Sequence, residues 1–251
     1  HWWVRNESVA EHIRSYKHNP NYLTSVQFEP NKLALSCNLR NVVLNCENLI
    51  MAIPSAFLKD ALKDLNANDF VGKKVFSAIK GIVPEHNLIV GEYFNTQFNM
   101  PMNNIGVIAG PCHAEEVAME KLSYLTVASQ DTDSATFVAS LLNCRYIKTT
   151  VSDDIYGTEY SAVLKNVFAL ASGICHGLGY GDNFQAVLIS NAIQEIKRFV
   201  DAVHPINRDI NSSAYLGDLL VTAYSQFSRN RLFGNMIGKG HSVQSAKAEM
   251  N

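Results

Sequence analysis

Between Ser161 and Arg198 the chain reads SAVLKNVFALASGICHGLGYGDNFQAVLISNAIQEIKR, and Lys165 and Asn166 stand side by side in an otherwise apolar helical pattern running from Ala162 to Ala171. Lysine is almost never fully buried without a partner, so a helix that carries one among Val163, Leu164, Val167, Phe168 and Ala171 is expected to aim it at a cleft. In a cleft, a lysine can give or take a proton once burial or a neighbouring cation lowers its pKa toward the working pH. The competing reading is a surface lysine on an amphipathic helix, which apolar neighbours on nearly every side disfavour.

Other constellations fall short of chemistry. The eight histidines and five cysteines show no metal-like spacing, and Cys37, Cys46, Cys112, Cys144 and Cys175 read as reduced thiols. Gly234 to Gly240 (GNMIGKG) resembles a phosphate-binding loop, but its spacing is wrong and no Ser or Thr follows the lysine. It reads as a helix C-cap and turn ahead of an N-cap at Ser242. Gly177-Leu178-Gly179-Tyr180-Gly181 lies between helical patterns instead of after a strand, and so lacks the context of a dinucleotide fingerprint.

The first half supplies alternating strands and helices. Trp2 and Trp3 suit an opening strand, and Glu7 to Tyr16 has helical spacing. The run Glu47 to Ser55 is a short, buried parallel strand with Pro54 in the first turn of the next helix. Strands are predicted at Lys74 to Ile79, Asn104 to Ala109 and Tyr124 to Ala128, with helices at Ala114 to Lys121 and Ser134 to Leu142. Such alternation implies a parallel sheet whose ligands bind beyond the carboxyl ends of the strands, where Pro54-Ser55, Lys80-Gly81 and Gly110-Pro111 fall. After Ser152-Asp153-Asp154 only helical periodicity remains, at about 160–176, 184–202, 212–225, 229–238 and from 242 onward. The expected fold is an α/β Rossmann-like parallel-sheet domain over residues 1–154, followed by an all-helical domain over 155–251. With 251 residues, 47% of them hydrophobic, the chain can bury a sizeable core. A net charge of -2 leaves no electrostatic footprint for nucleic acid, and no apolar run approaches a membrane span. A cytoplasmic location is the expectation.

Four motifs now combine. Ile79-Lys80-Gly81, the run AGPCHAEEVA from Ala109, LKNV with the following GLGYGDN from Leu164 to Asn183, and GDLLVTAYSQFSRNR from Gly217 to Arg231 together resemble bacterial-type NAD(P)-dependent glycerol-3-phosphate dehydrogenase. The resemblance covers nearly the whole chain in order. It implies interconversion of dihydroxyacetone phosphate and sn-glycerol 3-phosphate, which supplies the backbone of phospholipids.

The resemblance makes Lys165 the acid/base, with Asn166 beside it, and places Lys80 at the substrate and nicotinamide end of the cleft. Gly110 and Cys112 correspond to substrate contacts and Ala114 to a cofactor contact. Cys112 stands where a serine is usual, so a hydroxyl contact is either missing or replaced by a weaker thiol one. Asp218 and Thr222 match polar positions near the lysine, and four residues apart on a helix they share a face. Ser228, Arg229 and Asn230 match the group that holds substrate phosphate and cofactor. Arg229 suits the phosphate, since a guanidinium fork fits its oxygens and a helix N-terminus favours an anion. Arg5, Asn6 and Tyr22 match positions near the adenosine end. Arg5 modestly favours NADP, while Glu7 keeps NAD open.

Two departures accompany the resemblance. The family's glycine-rich fingerprint belongs before His1 and its further helices beyond Asn251, so the sequence reads as a fragment lacking both. A related two-domain hydroxy-acid dehydrogenase, or a non-catalytic scaffold of the same fold, are the other readings. A homodimer is a further expectation.

Overall fold

The computed structural model describes residues 1–250, and the chain divides into two compact units. The first comprises His1–Gly106 with Ala114–Leu122, and the second Val107–His113 with the chain from Ser123 onward.

In the first unit, β1 (Trp2–Trp3) pairs in parallel with β2 (Leu35–Ser36). Between them, α1 (Glu7–Tyr16) begins where Asn6 accepts the Ser8 backbone N–H at 3.0 Å, and it ends at Lys17 in a left-handed conformation. A second helix, α2 (Leu39–Leu44), is capped in the same way by Asn38. β3 (Asn48–Met51) pairs in parallel with β4 (Lys74–Ser77), Asn48 opposite Lys74 through Met51 opposite Ser77. Pro54 precedes a single 3-10 turn, Ser55–Phe57, which leads into α3 (Leu58–Leu62), so it sits one position ahead of where the sequence had placed it. Next come α4 (Val90–Phe98) and β5 (Ile105–Ala109), and α5 (Ala114–Ala118) closes early because Glu120 turns to positive φ. Leu49, Leu58, Val75, Phe94 and Ile105 belong to one buried core, with the rings of Phe70 and Phe98 4.7 Å apart.

The second unit has β6 (Ser123–Ser129), α6 (Thr132–Leu142) and β7 (Ile147–Ser152), β6 and β7 being parallel with Ser123 opposite Ile147. The five longer strands run in the order β3-β4-β5-β6-β7. Helices follow: α7 (Ile155–Gly177), α8 (Asp182–Val203), a π turn (Ser213–Gly217) leading directly into α9 (Asp218–Tyr224), then α10 (Arg229–Gly238) and α11 (Val243–Glu249). The expected parallel sheet followed by helices is therefore present. α7 starts five residues earlier than its periodicity suggested, because Asp154 caps it by accepting the Gly157 N–H at 2.9 Å. No described helix is long and apolar enough to cross a membrane.

Helices α7 and α10 approach closely through two glycine pairs. A Cβ on Gly173 would overlap the Arg231 carbonyl oxygen, and one on Gly177 that of Asn235. Reciprocally, Gly234 lies against the Leu170 carbonyl and Gly238 against that of Ile174. The run first read as a C-cap and turn is thus partly helix: Gly234 and Gly238 lie within α10, and only Lys239 and Gly240 follow it. A buried polar clamp ties α7 to two further helices. The Ser172 hydroxyl lies 2.8 Å from Gln185 Oε1 and 3.1 Å from the Ala223 carbonyl oxygen, and Gln185 Nε2 donates to the Ser172 carbonyl at 3.0 Å.

Candidate active site

Lys165 falls near the middle of α7 and is only 3% exposed, and Asp218, the first residue of α9, is 1% exposed. Lys165 Nζ lies 2.5 Å from Asp218 Oδ1. A buried charge needs such a partner, since leaving either ion alone in the interior costs several kcal/mol, of the order of 3–5. Asp218 Oδ2 is buried and has no hydrogen-bond partner among the described residues. Buried carboxylate oxygens are nearly always satisfied, so this atom is available to a further donor.

Thr222 shares the Asp218 face of α9, as its spacing required, but its hydroxyl donates to the Asp218 backbone carbonyl at 2.6 Å. Its contribution is to fix the turn, not to bond the carboxylate. Asn166 Nδ2 lies 3.4 Å from the Ala162 carbonyl oxygen. Gly110 takes φ +137 at the end of β5, and a Cβ there would lie 2.6 Å from the Tyr124 carbonyl oxygen. Only glycine fits that position. A Cβ on Gly217, one residue before Asp218, would lie 3.7 Å from Pro111 Cγ, so the Gly110-Pro111-Cys112 loop borders the turn that presents the carboxylate.

Ser228 caps α10 by accepting the Arg231 N–H at 3.3 Å, which puts Arg229 and Asn230 in the helix's first turn, both exposed. Arg229 Nη2 donates to the Met250 carbonyl at 3.2 Å. The helix N-terminus and an accessible guanidinium together suit a dianion such as a phosphoryl group. The glycine pairs between α7 and α10 fix that terminus relative to the helix of Lys165.

In the first unit, Lys80 is exposed beyond β4, and Gly81 abuts Ser55, where a Cβ would lie 2.6 Å from the Ser55 hydroxyl. The loops after β3 and β4 are therefore neighbours at the carboxyl edge. Ala114 opens α5 and is exposed. Arg5 and Tyr22 line a cleft of about 1410 Å³, together with Cys37 and Asn38 beyond β2 and Ile53 and Pro54 beyond β3. Asn6 does not line this cleft, because its side chain is engaged in capping α1. Arg14, Arg40, Asp60 and Asp64 complete the rim. Glu7 is held below the usual carboxylate range by a hydrogen bond from Cys37 and then by Arg14, whose Nη1 lies 2.9 Å from it. Arg5 makes no ion pair among the described residues. Strand carboxyl ends with a guanidinium beside them suit the adenosine end of a nucleotide cofactor.

Sequence reasoning missed one cluster altogether. Asp154 is 3% exposed, and besides capping α7 it accepts hydrogen bonds from Arg208 Nε at 2.7 Å and from the Tyr215 hydroxyl. Burial would raise the Asp154 pKa, but Arg208, Tyr215 and the Gly157 N–H outweigh it and hold the carboxylate below its usual range. Burial first, and then the bond to Asp154, pushes the Tyr215 phenol up. An aspartate heading a helical run was a legible cap signal. Partners 54 and 61 residues away carried none.

Residues 1–135 match the family model described as NAD-dependent glycerol-3-phosphate dehydrogenase N-terminus, and residues 154–251 match the corresponding C-terminus. The glycerol-3-phosphate dehydrogenase (NAD(P)+) of Macrococcus caseolyticus is 33% identical over 252 residues, covering 99% of this chain and 75% of the relative. That of Clostridium botulinum is 32% identical over 246 residues, covering 98% and 73%. The chain thus spans about three quarters of the curated relatives it matches. In fold it superposes on the glycerol-3-phosphate dehydrogenase structure from Coxiella burnetii with a TM-score of 0.89 at 24% identity, covering 99% of this chain and 75% of that one. With both halves matched in order and the lysine–aspartate pair formed between α7 and α9, the chain belongs to the NAD-dependent glycerol-3-phosphate dehydrogenase family.

Proposed function

We propose that this protein interconverts dihydroxyacetone phosphate and sn-glycerol 3-phosphate, feeding phospholipid synthesis in the cytoplasm. The observation that carries this reading is the buried Lys165–Asp218 pair with one carboxylate oxygen left open. Bound NAD(P)H supplies the hydride. Lys165 gives the carbonyl oxygen its proton and takes it back in the reverse direction, and Asp218 holds the ammonium in place. The open Asp218 oxygen accepts a hydrogen bond from a substrate hydroxyl. Ser228, Arg229 and Asn230 hold the phosphate, with Asn166, Thr222, Gly110 and Cys112 shaping the three-carbon site. Residues 1–154 serve as the cofactor domain and 155–251 as the substrate domain, in a homodimer. Arg5 and Tyr22, which line the cleft, and Lys80 and Ala114 are the cofactor contacts of the first unit, whereas Asn6 is spent on its helix cap. Of the two cofactors NADP is preferred, because Glu7 is engaged by Arg14 whereas Arg5 is unpaired among the described residues and can meet a 2'-phosphate.

The test is cofactor oxidation by the intact protein with dihydroxyacetone phosphate, run with NADPH and with NADH. Parallel assays would follow oxidation of 6-phosphogluconate and of hydroxyisobutyrate. Turnover of dihydroxyacetone phosphate, faster with NADPH at subsaturating cofactor, is expected. Turnover only of the other two substrates would assign a different dehydrogenase, and none with any would leave a scaffold.

A further inference from the structure

The π turn Ser213–Gly217 sits immediately before Asp218 and is held from two sides. Ser213 Oγ lies 3.3 Å from Thr126 Oγ1 on β6, and that hydroxyl is 3.0 Å from Thr150 Oγ1 on β7. On the other side, the Tyr215 hydroxyl donates to Asp154 at the head of α7. Asp154 is itself immobilised. Arg208, with a side chain 2% exposed, reaches it through Nε at 2.7 Å, bonds Asp201 on α8 through Nη1, and donates from Nη2 to the His204 carbonyl at 2.6 Å.

Lys165 lies eleven residues beyond Asp154 on the same helix, about 16 Å at 1.5 Å per residue. Asp218 lies three residues beyond Tyr215. Two stiff segments are therefore joined at two points, Asp154 to Tyr215 and Lys165 to Asp218. π turns are uncommon and costly in isolation, and they concentrate at functional sites. The distance from Lys165 to Asp218 thus depends on where this turn is pinned, and the hydroxyl of Tyr215 pins it.

We propose that Tyr215, Asp154 and Arg208 form a positioning network that sets the reach of Asp218 toward Lys165. The proposal rests on the assignment of Lys165 as the acid/base. None of the three touches substrate, and their effect passes through the placement of the pair. A displacement of about 1 Å at a proton-transfer site can cost up to about a hundredfold in rate, so losing one hydroxyl that pins the turn should be visible in kcat.

The experiment compares Tyr215→Phe, Arg208→Met, Arg208→Lys and Lys165→Met in the intact protein, measuring kcat, KM for dihydroxyacetone phosphate and Tm. Tyr215→Phe keeps the ring and its packing, and is expected to lower kcat about tenfold with KM within about twofold. Arg208→Met should lower kcat further, and Arg208→Lys should recover part of the loss by restoring the charge. A purely structural cap would shift Tm and leave kcat at the parent value. Parent kcat in both Tyr215→Phe and Arg208→Met, with Lys165→Met inactive, overturns the positioning role alone. An active Lys165→Met protein overturns the acid/base assignment and this inference with it.

Discussion

Lys165 Nζ and Asp218 Oδ1 are 2.5 Å apart, with both side chains almost wholly out of solvent. An ion pair in that setting is weak evidence of stability, because desolvation offsets much of the attraction. Its value lies in orientation. Asp218→Asn keeps the shape but removes the charge opposite the ammonium, and kcat is expected to fall at least about a hundredfold. Lys165→Ala should cost several orders of magnitude, since proton transfer and carbonyl polarisation both depend on it. Steady-state turnover checks both, and parent-like kcat in Lys165→Ala would remove the residue from the chemistry.

Arg229 offers a different signature. Its guanidinium is exposed at the start of α10, and under the proposed role it holds the phosphate, a part of the substrate that does not react, so its contact would be made in the ground state as well as in the transition state. Arg229→Ala is therefore expected to raise KM for dihydroxyacetone phosphate about tenfold or more, with a smaller change in kcat. Arg229→Lys should recover only part of this, because an ammonium cannot make the forked contact. Kinetics with the phosphorylated substrate measure both numbers.

The residues that were legible in sequence carry local signals. Lys165 stood out as a charge in an apolar helical stripe, whereas Asp218 and Thr222 were singled out by the family resemblance, their spacing of four adding only that they share a helix face. Strand β7 was not legible, because Lys148, Thr149 and Thr150 give it the polar surface of an edge strand, and an edge needs only one apolar face. Helix α4 was missed because Ile89 provides no side-chain cap and its aromatic and glycine content imitates a strand and a turn. The π turn read as plain helix because one extra residue per turn leaves the apolar spacing nearly intact. Tyr215, Arg208 and the facing glycines of α7 and α10 depend on long-range contacts, which no local window contains.

Those glycines make a stability prediction independent of catalysis. Gly234→Ala would drive a methyl group into the Leu170 carbonyl, and the backbone there cannot yield as a side chain would. Separation of α7 from α10 should cost about 1–3 kcal/mol. Gly217→Ala is the contrast, since its φ of -61 is helical and its nearest neighbour would be 3.7 Å away. That variant should melt within a few degrees of the parent. Thermal denaturation of the two variants side by side decides whether the close helix approach is required.

The Asp154–Tyr215 bond predicts a pH dependence at both ends of the scale. Asp154 has a lowered folded pKa, so its contribution is present above the unfolded carboxylate value of about 4 and is lost as pH falls through the folded value. Tyr215 has a raised folded pKa, so its contribution is complete below the unfolded phenol value of about 10. Above that pH the unfolded chain releases a proton that the folded protein retains, and stability declines. Urea denaturation from pH 7 to pH 11 should show this alkaline decline in the parent protein. Tyr215→Phe should be less stable than the parent at pH 7, and the gap should narrow as pH rises past about 10. A constant gap across that range would mean that burial and the bond to Asp154 do not raise the phenol's pKa in the folded protein.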